Sequence, residues 1–159
     1  MSDSFDLQFL QNFLGALQGH LLLTLASVSV GIIVSVPGGV LAHQFPRAKQ
    51  PLMLVISVIQ TIPGLAILAL VVAFLGGRIG FLPAFIALSL YSMLPIVRNT
   101  IAGLEGGPID VSEAARGIGM SRRQRLLLVE LPLSKPVIIA GVRTSVVWTV
   151  GMATLATLV

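Results

Sequence analysis

Residues 110–132 read DVSEAARGIGMSRRQRLLLVELP. This is a polar, basic island in an otherwise apolar chain. It holds Arg116, Arg122, Arg123 and Arg125, four of the ten Lys and Arg residues of the protein. Two helix starts follow one another inside it. Asp110 with Glu113 has the spacing of a capping box, and Ser121 with Gln124 has it again. Gly117 and Gly119 lie between them, where a helix would end and the chain would turn. The stretch therefore reads as helix–turn–helix outside a membrane, held between two spans. It is too short for a domain and well sized for a handle that another protein grips.

Working outward, the chain of 159 residues is 55% hydrophobic and 10% charged. Soluble domains carry roughly 25% charged residues, and the charge-free runs here reach spanning length. The expected class is an all-α polytopic membrane protein. There is no cysteine, which excludes disulfides, thiolate metal sites and a Cys nucleophile. Asp3 and Asp6 stand before the first apolar run where a secretory signal would carry basic residues, so the first span is expected to be retained.

Four spans are predicted, at about 21–41, 52–75, 81–97 and 136–159, within a single transmembrane domain covering 1–159. Residues 5–19 place Phe5, Phe9, Leu10, Phe13, Leu14 and Leu17 near one helical face, with Asp6, Gln8, Gln11, Asn12 and Gln18 elsewhere. They read as a short interfacial amphipathic helix or as the lead-in to the first span. Pro37-Gly38-Gly39 should bend or thin the first span. Gln60-Thr61-Ile62-Pro63-Gly64 should kink or break the second, because proline removes a backbone hydrogen bond. Irregular backbone at that depth persists only where protein or a water-filled cavity covers it. Gln60, Thr61 and Pro63 are thus candidates for lining a pathway, the alternative being an ordinary kink packed on a neighbour. Gly106-Gly107-Pro108 reads as a break opening the polar segment 100–135. The chain ends TLATLV in an apolar run, as though a fifth span were to follow.

Basic residues orient the spans. With four alternating spans, Arg47, Lys49, Arg98, Arg116, Arg122, Arg123, Arg125 and Lys135 share one side and Arg78 alone falls opposite. The segment 100–135 is then cytoplasmic and the N-terminus outside. Arg143 lies inside the fourth span, either snorkelling to the interface or facing the bundle interior; it joins the pathway candidates.

Much chemistry is missing. No GxxxxGK[ST] occurs, so ATP is not bound through a P-loop. No HExxH or GxSxG is present, and the sequence has no catalytic or metal-ligating set. The six acids, Asp3, Asp6, Glu105, Asp110, Glu113 and Glu130, all lie outside the predicted spans. That weighs against an ion-driven secondary carrier or channel, which commonly uses an intramembrane carboxylate. A scaffold without transport is a third reading, against which the Pro-Gly break at depth counts.

Glu113-Ala114-Ala115, then Gly119 after three intervening residues, and Val129-Glu130-Leu131-Pro132 after nine more resemble the EAA loop of ABC importer permeases. Val129 stands where that family's pattern has Ile. The resemblance covers most of the chain and implies a type I importer transmembrane fold with no enzymatic activity of its own. It implies that Glu113, Ala114, Ala115, Gly119, Leu131 and Pro132 couple to a cytoplasmic ABC ATPase dimer carrying ATP and Mg, with no cofactor in this chain. It further implies a second permease subunit, an extracytoplasmic substrate-binding protein, and a place in a bacterial or archaeal cytoplasmic membrane, with no nucleic acid among the partners. Gln60-Thr61-Ile62-Pro63-Gly64-Leu65-Ala66 is similar to permeases for glycine betaine, choline and related quaternary amines. Permeases for methionine or another amino acid are the nearest alternative. Trp148 and Tyr91 are the one Trp and one Tyr, and the sequence offers no obvious aromatic cage for a quaternary ammonium.

Overall fold

The computed structural model describes residues 2–156, with side chains from Gln8 onward. The described residues are helical apart from short turns, in the order α1 (Ser2–Gln44), α2 (Pro46–Thr61), α3 (Gly64–Phe74), α4 (Phe81–Glu105), α5 (Ile109–Gly117), α6 (Arg122–Arg125), a π-helical turn (Leu126–Glu130) and α7 (Leu131–Ala156). Three helices are long and apolar enough to cross a membrane: Gln8–Gln44, Phe81–Glu105 and Arg122–Ala156; α2 and α3 together make a fourth, broken candidate. All-helical architecture with up to four spans agrees with the composition.

The helix boundaries differ from those expected. Residues 5–19 and 21–41 belong to one helix, α1, which passes through Pro37-Gly38-Gly39 without ending. Its uncharged length lets intrahelical bonds continue, and a single proline costs it only one of them. The Phe5 and Asp6 side chains of the expected amphipathic face lie outside the described ones. The third helix extends past 97 to Glu105. The last begins at residue 122 rather than 136, and the 100–135 segment is largely helical extension of its two neighbours, leaving α5 as the one separate helix in it.

The second span is broken. Ile62 is extended (φ −79°, ψ 125°), and Pro63 caps α3. A residue before proline is driven from the helical region by the ring, and α3 leaves α2 at 99°. Ile67 and Leu68 of α3 are buried with Leu23, Ala84, Ala87, Leu88 and Ala153, so α3 lies by the middle of α1, the start of α4 and the last turns of α7.

α4 is the hub, packed between α1 and α7. The contacts are made by small residues, as expected where lipid offers helices no hydrophobic reason to associate. Gly31 faces Ser92, Gly39 faces Thr100, Gly103 faces Ser134 and Gly141 faces Asn99. A serine seam crosses all three helices. The Ser92 hydroxyl shares its one hydrogen between the Ser89 carbonyl of its own helix at 2.8 Å and the Ser27 carbonyl of α1 at 3.2 Å, and Ser145 donates to the Ser92 carbonyl at 2.9 Å. Ser92 and Ser145 thus find acceptors inside the bundle, where an unpaired hydroxyl is costly, whereas the buried hydroxyls of Thr24, Ser35, Ser89 and Thr149 have none among the described residues.

Candidate functional site

Two places stand out. The first is α5 and the turn behind it. Pro108 is the residue before the helix and no side chain caps it; Asp110 lies within the first turn. The expected Asp110–Glu113 capping box is therefore absent. Pro108 fixes its own φ near the value needed to start a helix and takes the cap position two residues earlier than the sequence suggested. The Ser121–Gln124 box is present: Gln124 N–H donates to Ser121 Oγ at 3.3 Å, and Ser121 N–H donates to Gln124 Oε1 at 2.9 Å.

Between them the chain turns on Gly119, whose φ is +80°. Its N–H bonds the Arg116 carbonyl at 3.0 Å, and the Met120 N–H bonds the Ala115 carbonyl at 3.1 Å. These are the two bonds of a Schellman cap, which needs the left-handed residue at that position. The same pair closes α3, where Gly76 and Gly77 bond the carbonyls of Ala73 and Val72.

Glu113, Ala114 and Gly119 are exposed, whereas Ala115 is 5% exposed and packs inward. Ala114 and Ala115 therefore serve different surfaces. Ala114 leaves the outer face low, and Ala115 lets α5 lie close to the body of the protein. Ile109 and Ile118 are 73% and 76% exposed at the two ends of α5. They are apolar anchors that sequence reasoning passed over; their only signal is two isoleucines in a polar helix and its cap. Leu131 is half-buried and Pro132 exposed at the start of α7. Glu113 and Val129 line one groove of about 390 Å³ between α5 and the last long helix, while Leu131 and Pro132 stand outside that lining.

The base of this region is tied by charge. Glu130 accepts from Arg125 Nε at 2.6 Å and lies 3.7 Å from His43 Nε2, joining the end of α1 to the π turn. Lys49 pairs with Glu105, joining α2 to the end of α4. Arg116, Arg122 and Arg123 line a neighbouring open groove of about 1050 Å³ with His43 and Phe45.

The π turn has a local cause. Pro132 has no N–H and its ring would strike the carbonyl four residues back. The chain widens just before it, with the Leu131 N–H reaching the Leu126 carbonyl five residues away. The helix thereby runs on from the capped start at Ser121 into α7.

The second place is the α2–α3 break. Gln60 accepts from Arg98 Nη1 at 3.3 Å, and Thr61 Oγ1 donates to the Val58 carbonyl at 2.7 Å. Thr61 and Pro63 are exposed and Gln60 half-buried. Arg98, counted from the sequence among the charges that orient the spans, also holds Gln60 against α4. Arg143 is exposed and off the buried stripe of α7, which carries Ile138, Gly141, Ser145, Thr149 and Ala153. No hydrogen bond or ion pair among the described residues joins it to the break. The structure thus brings Gln60, Thr61 and Pro63 together and leaves Arg143 apart.

Comparison with known proteins agrees with this architecture. Residues 27–159 match the family model described as binding-protein-dependent transport system inner membrane component. Over 156 residues the chain is 42% identical to the choline transport system permease protein OpuBB of Bacillus subtilis, covering 96% of this chain and 71% of that one. It is 46% identical to the carnitine transport permease protein OpuCB of Listeria monocytogenes, covering 86% and 62%. The chain thus spans between about three fifths and three quarters of the length of these relatives. An inward-facing structure of the MetNI methionine ABC transporter superposes with a TM-score of 0.77 at 21% identity, covering 87% of this chain and 70% of that one, a likeness of fold. With its helix order, its broken span and a family match over most of its length, the chain belongs to the binding-protein-dependent transport system inner membrane components.

Proposed function

We propose that this protein is the membrane permease subunit of an ATP-driven importer of quaternary-amine solutes such as choline, glycine betaine or carnitine. The observation that carries the reading is α5. It is a separate nine-residue helix between two membrane-length helices, and it presents Glu113, Ala114 and the exposed Ile109 and Ile118 to solvent. Apolar ends beside small residues suit docking into a cleft of a partner. The partner is a cytoplasmic ATPase dimer supplying ATP and Mg. The other partners are a second permease subunit and an extracytoplasmic binding protein that delivers the solute. The basic residues put α5 on the cytoplasmic side and the N-terminus outside. Glu113, Ala114 and Gly119 act at the docking surface, Ala115 supports it from beneath, and Leu131 and Pro132 set the start of the helix that carries it. Gln60, Thr61 and Pro63 border the pathway. The names of the relatives that match at 42–46% identity favour quaternary amines over methionine.

The test is affinity purification of the transporter from membranes, followed by uptake assays in liposomes with labelled choline, betaine, carnitine and methionine. Co-purification of a P-loop ATPase and uptake of a quaternary amine are expected. Methionine uptake without quaternary-amine uptake would refute the substrate class. Transport by the permease purified alone would refute the importer reading.

A further inference from the structure

Tyr91 and Trp148 are the only tyrosine and the only tryptophan in the chain, and the fold brings them together. Their ring centroids are 5.8 Å apart with planes inclined at 35°. Their depth is unusual. Tryptophan and tyrosine in membrane proteins gather at the two interfaces, where their polar atoms meet water. Here the turn at 75–80 marks one end of α4, and Tyr91 lies ten residues beyond Phe81. At about 1.5 Å per residue this is about 15 Å in, near the middle of a core of about 30 Å. Trp148, whose ring lies against that of Tyr91, shares this depth.

The pair also lies beside the broken span. Tyr91, Met152, and Ile59 and Ile62 from the flank of the break all pack on one buried cluster that includes Ile67 and Leu68 of α3, and Met152 lies against Gly64. Tyr91 is half-buried, and Trp148 is 43% exposed. One aromatic ring is thus anchored in the bundle and the other keeps open surface. Pro95 adds a further acceptor, since it supplies no N–H for the Tyr91 carbonyl four residues earlier. The carboxylates on these two long helices, Glu105 and Glu130, stand 14 residues from Tyr91 and 18 residues from Trp148, too far along to pair with a cation held between the rings.

Resting on the quaternary-amine reading above, we infer that Tyr91 and Trp148 form a transient site for the trimethylammonium group on its way through the permease. The chemistry fits that group closely. A trimethylammonium has no N–H to donate, so hydrogen-bond acceptors alone cannot hold it. It is attracted to aromatic faces by the ring quadrupole and by dispersion. A pair of rings without a carboxylate binds it weakly, and weak binding lets the solute leave. A neutral solute of the same shape lacks the electrostatic part.

The experiment uses the reconstituted transporter with its ATPase and binding protein for uptake, and the transporter without binding protein for saturation-transfer NMR of the choline methyl protons. Expected are methyl saturation in the wild type, little displacement by the neutral isostere 3,3-dimethylbutan-1-ol, and about tenfold slower choline uptake in Trp148→Leu and Tyr91→Leu, the size of a lost cation–π contact. Trp148→Phe should recover uptake to within about threefold, because it keeps an aromatic face. ATP hydrolysis stimulated by loaded binding protein should persist in every variant, which separates a solute contact from a packing role. Equal displacement of choline by the neutral isostere, read on the wild type alone, would overturn the site. So would unchanged choline uptake in the leucine variants beside an active wild type. Absence of all quaternary-amine uptake by the wild type would overturn the substrate reading itself, and the site with it.

Discussion

Gly119 offers the sharpest test of the α5 surface, because space and backbone can be separated there. A Cβ built on Gly119 meets nothing within 4 Å, yet φ is +80°. Any penalty for a side chain is therefore conformational. An L-residue in the left-handed region costs roughly 1–2 kcal/mol, and a β-branched one stands at the upper end of that range. Asparagine visits the region with little strain. The order of effect should be Asn least, Ala intermediate, Val greatest.

If the turn relaxes when free and must be rebuilt on docking, the whole strain appears in the docking equilibrium. At 1.4 kcal/mol per tenfold, Gly119→Val should weaken ATPase binding by roughly 5- to 30-fold and Gly119→Asn by little. The assay is titration of the ATPase onto the permease in nanodiscs, with membrane insertion checked by expression level. Equal affinities for the Val and Asn variants would refute the reasoning. They would show that either the left-handed turn or the docking of α5 is not what the position serves.

Other substitutions probe the bundle. Gly141→Ala would put a methyl 2.5 Å from Asn99 Cβ and 3.0 Å from the Pro95 carbonyl, so α4 and α7 must part at a cost of about 1–3 kcal/mol. A lowered midpoint of thermal unfolding in detergent would record it. Gly64→Ala approaches only the flexible end of Met152 and should change that midpoint far less; equal loss from the two would contradict the packing argument. Glu130→Gln removes the negative charge that Arg125 and His43 both face, each on its own oxygen, and leaves one acceptor oxygen where there were two; both partners are mostly buried. A charge-assisted bond of this kind is worth about 1.5–3 kcal/mol, and the loss should appear as faster proteolysis around residues 121–130. By contrast Glu105→Gln, breaking the exposed pair with Lys49, should cost less than about 1 kcal/mol and leave the same proteolysis pattern unchanged.

Some of this was legible in the chain and some was not, for physical reasons that differ by element. The break at 62–63 was legible because a proline acts on the residue before it whatever the surroundings. The turn on Gly119 was legible because its spacing between a polar helix and a Ser–Gln box leaves only a glycine to close the first helix. Pair partners were not legible. Arg98 lies 38 residues from Gln60, and Lys49 lies 56 from Glu105. Nothing local marks either pair: Arg98 and Lys49 had a sufficient reading as orienting charges, Glu105 as an acid outside the spans and Gln60 as a pathway candidate. Tyr91 and Trp148, 57 positions apart, meet for the same reason: α4 and α7 pack through Gly141 and Ser145, and that contact brings the two rings into register.

The boundary of the last helix is the most instructive difference. Ser121 with Gln124 was read correctly as a helix start, but as the start of a short extramembrane helix. The fourth span was expected to begin only at residue 136. In the structure the capped turn at Ser121 is the beginning of the span itself, a helix of 35 residues. At about 1.5 Å per residue it is about 52 Å long, so it extends well beyond a core of about 30 Å. Pro132 is accommodated by the π turn before it, and the polarity of 122–125 reflects where that helix stands relative to the bilayer rather than a separate element. A cap signals that a helix starts; it carries no information about how far the helix runs. Length is set by whether each later residue finds its backbone partner. Here a single widened turn satisfies the chain across Pro132, and the arginines beside α5 and Trp148 beside the broken span end up on one rod.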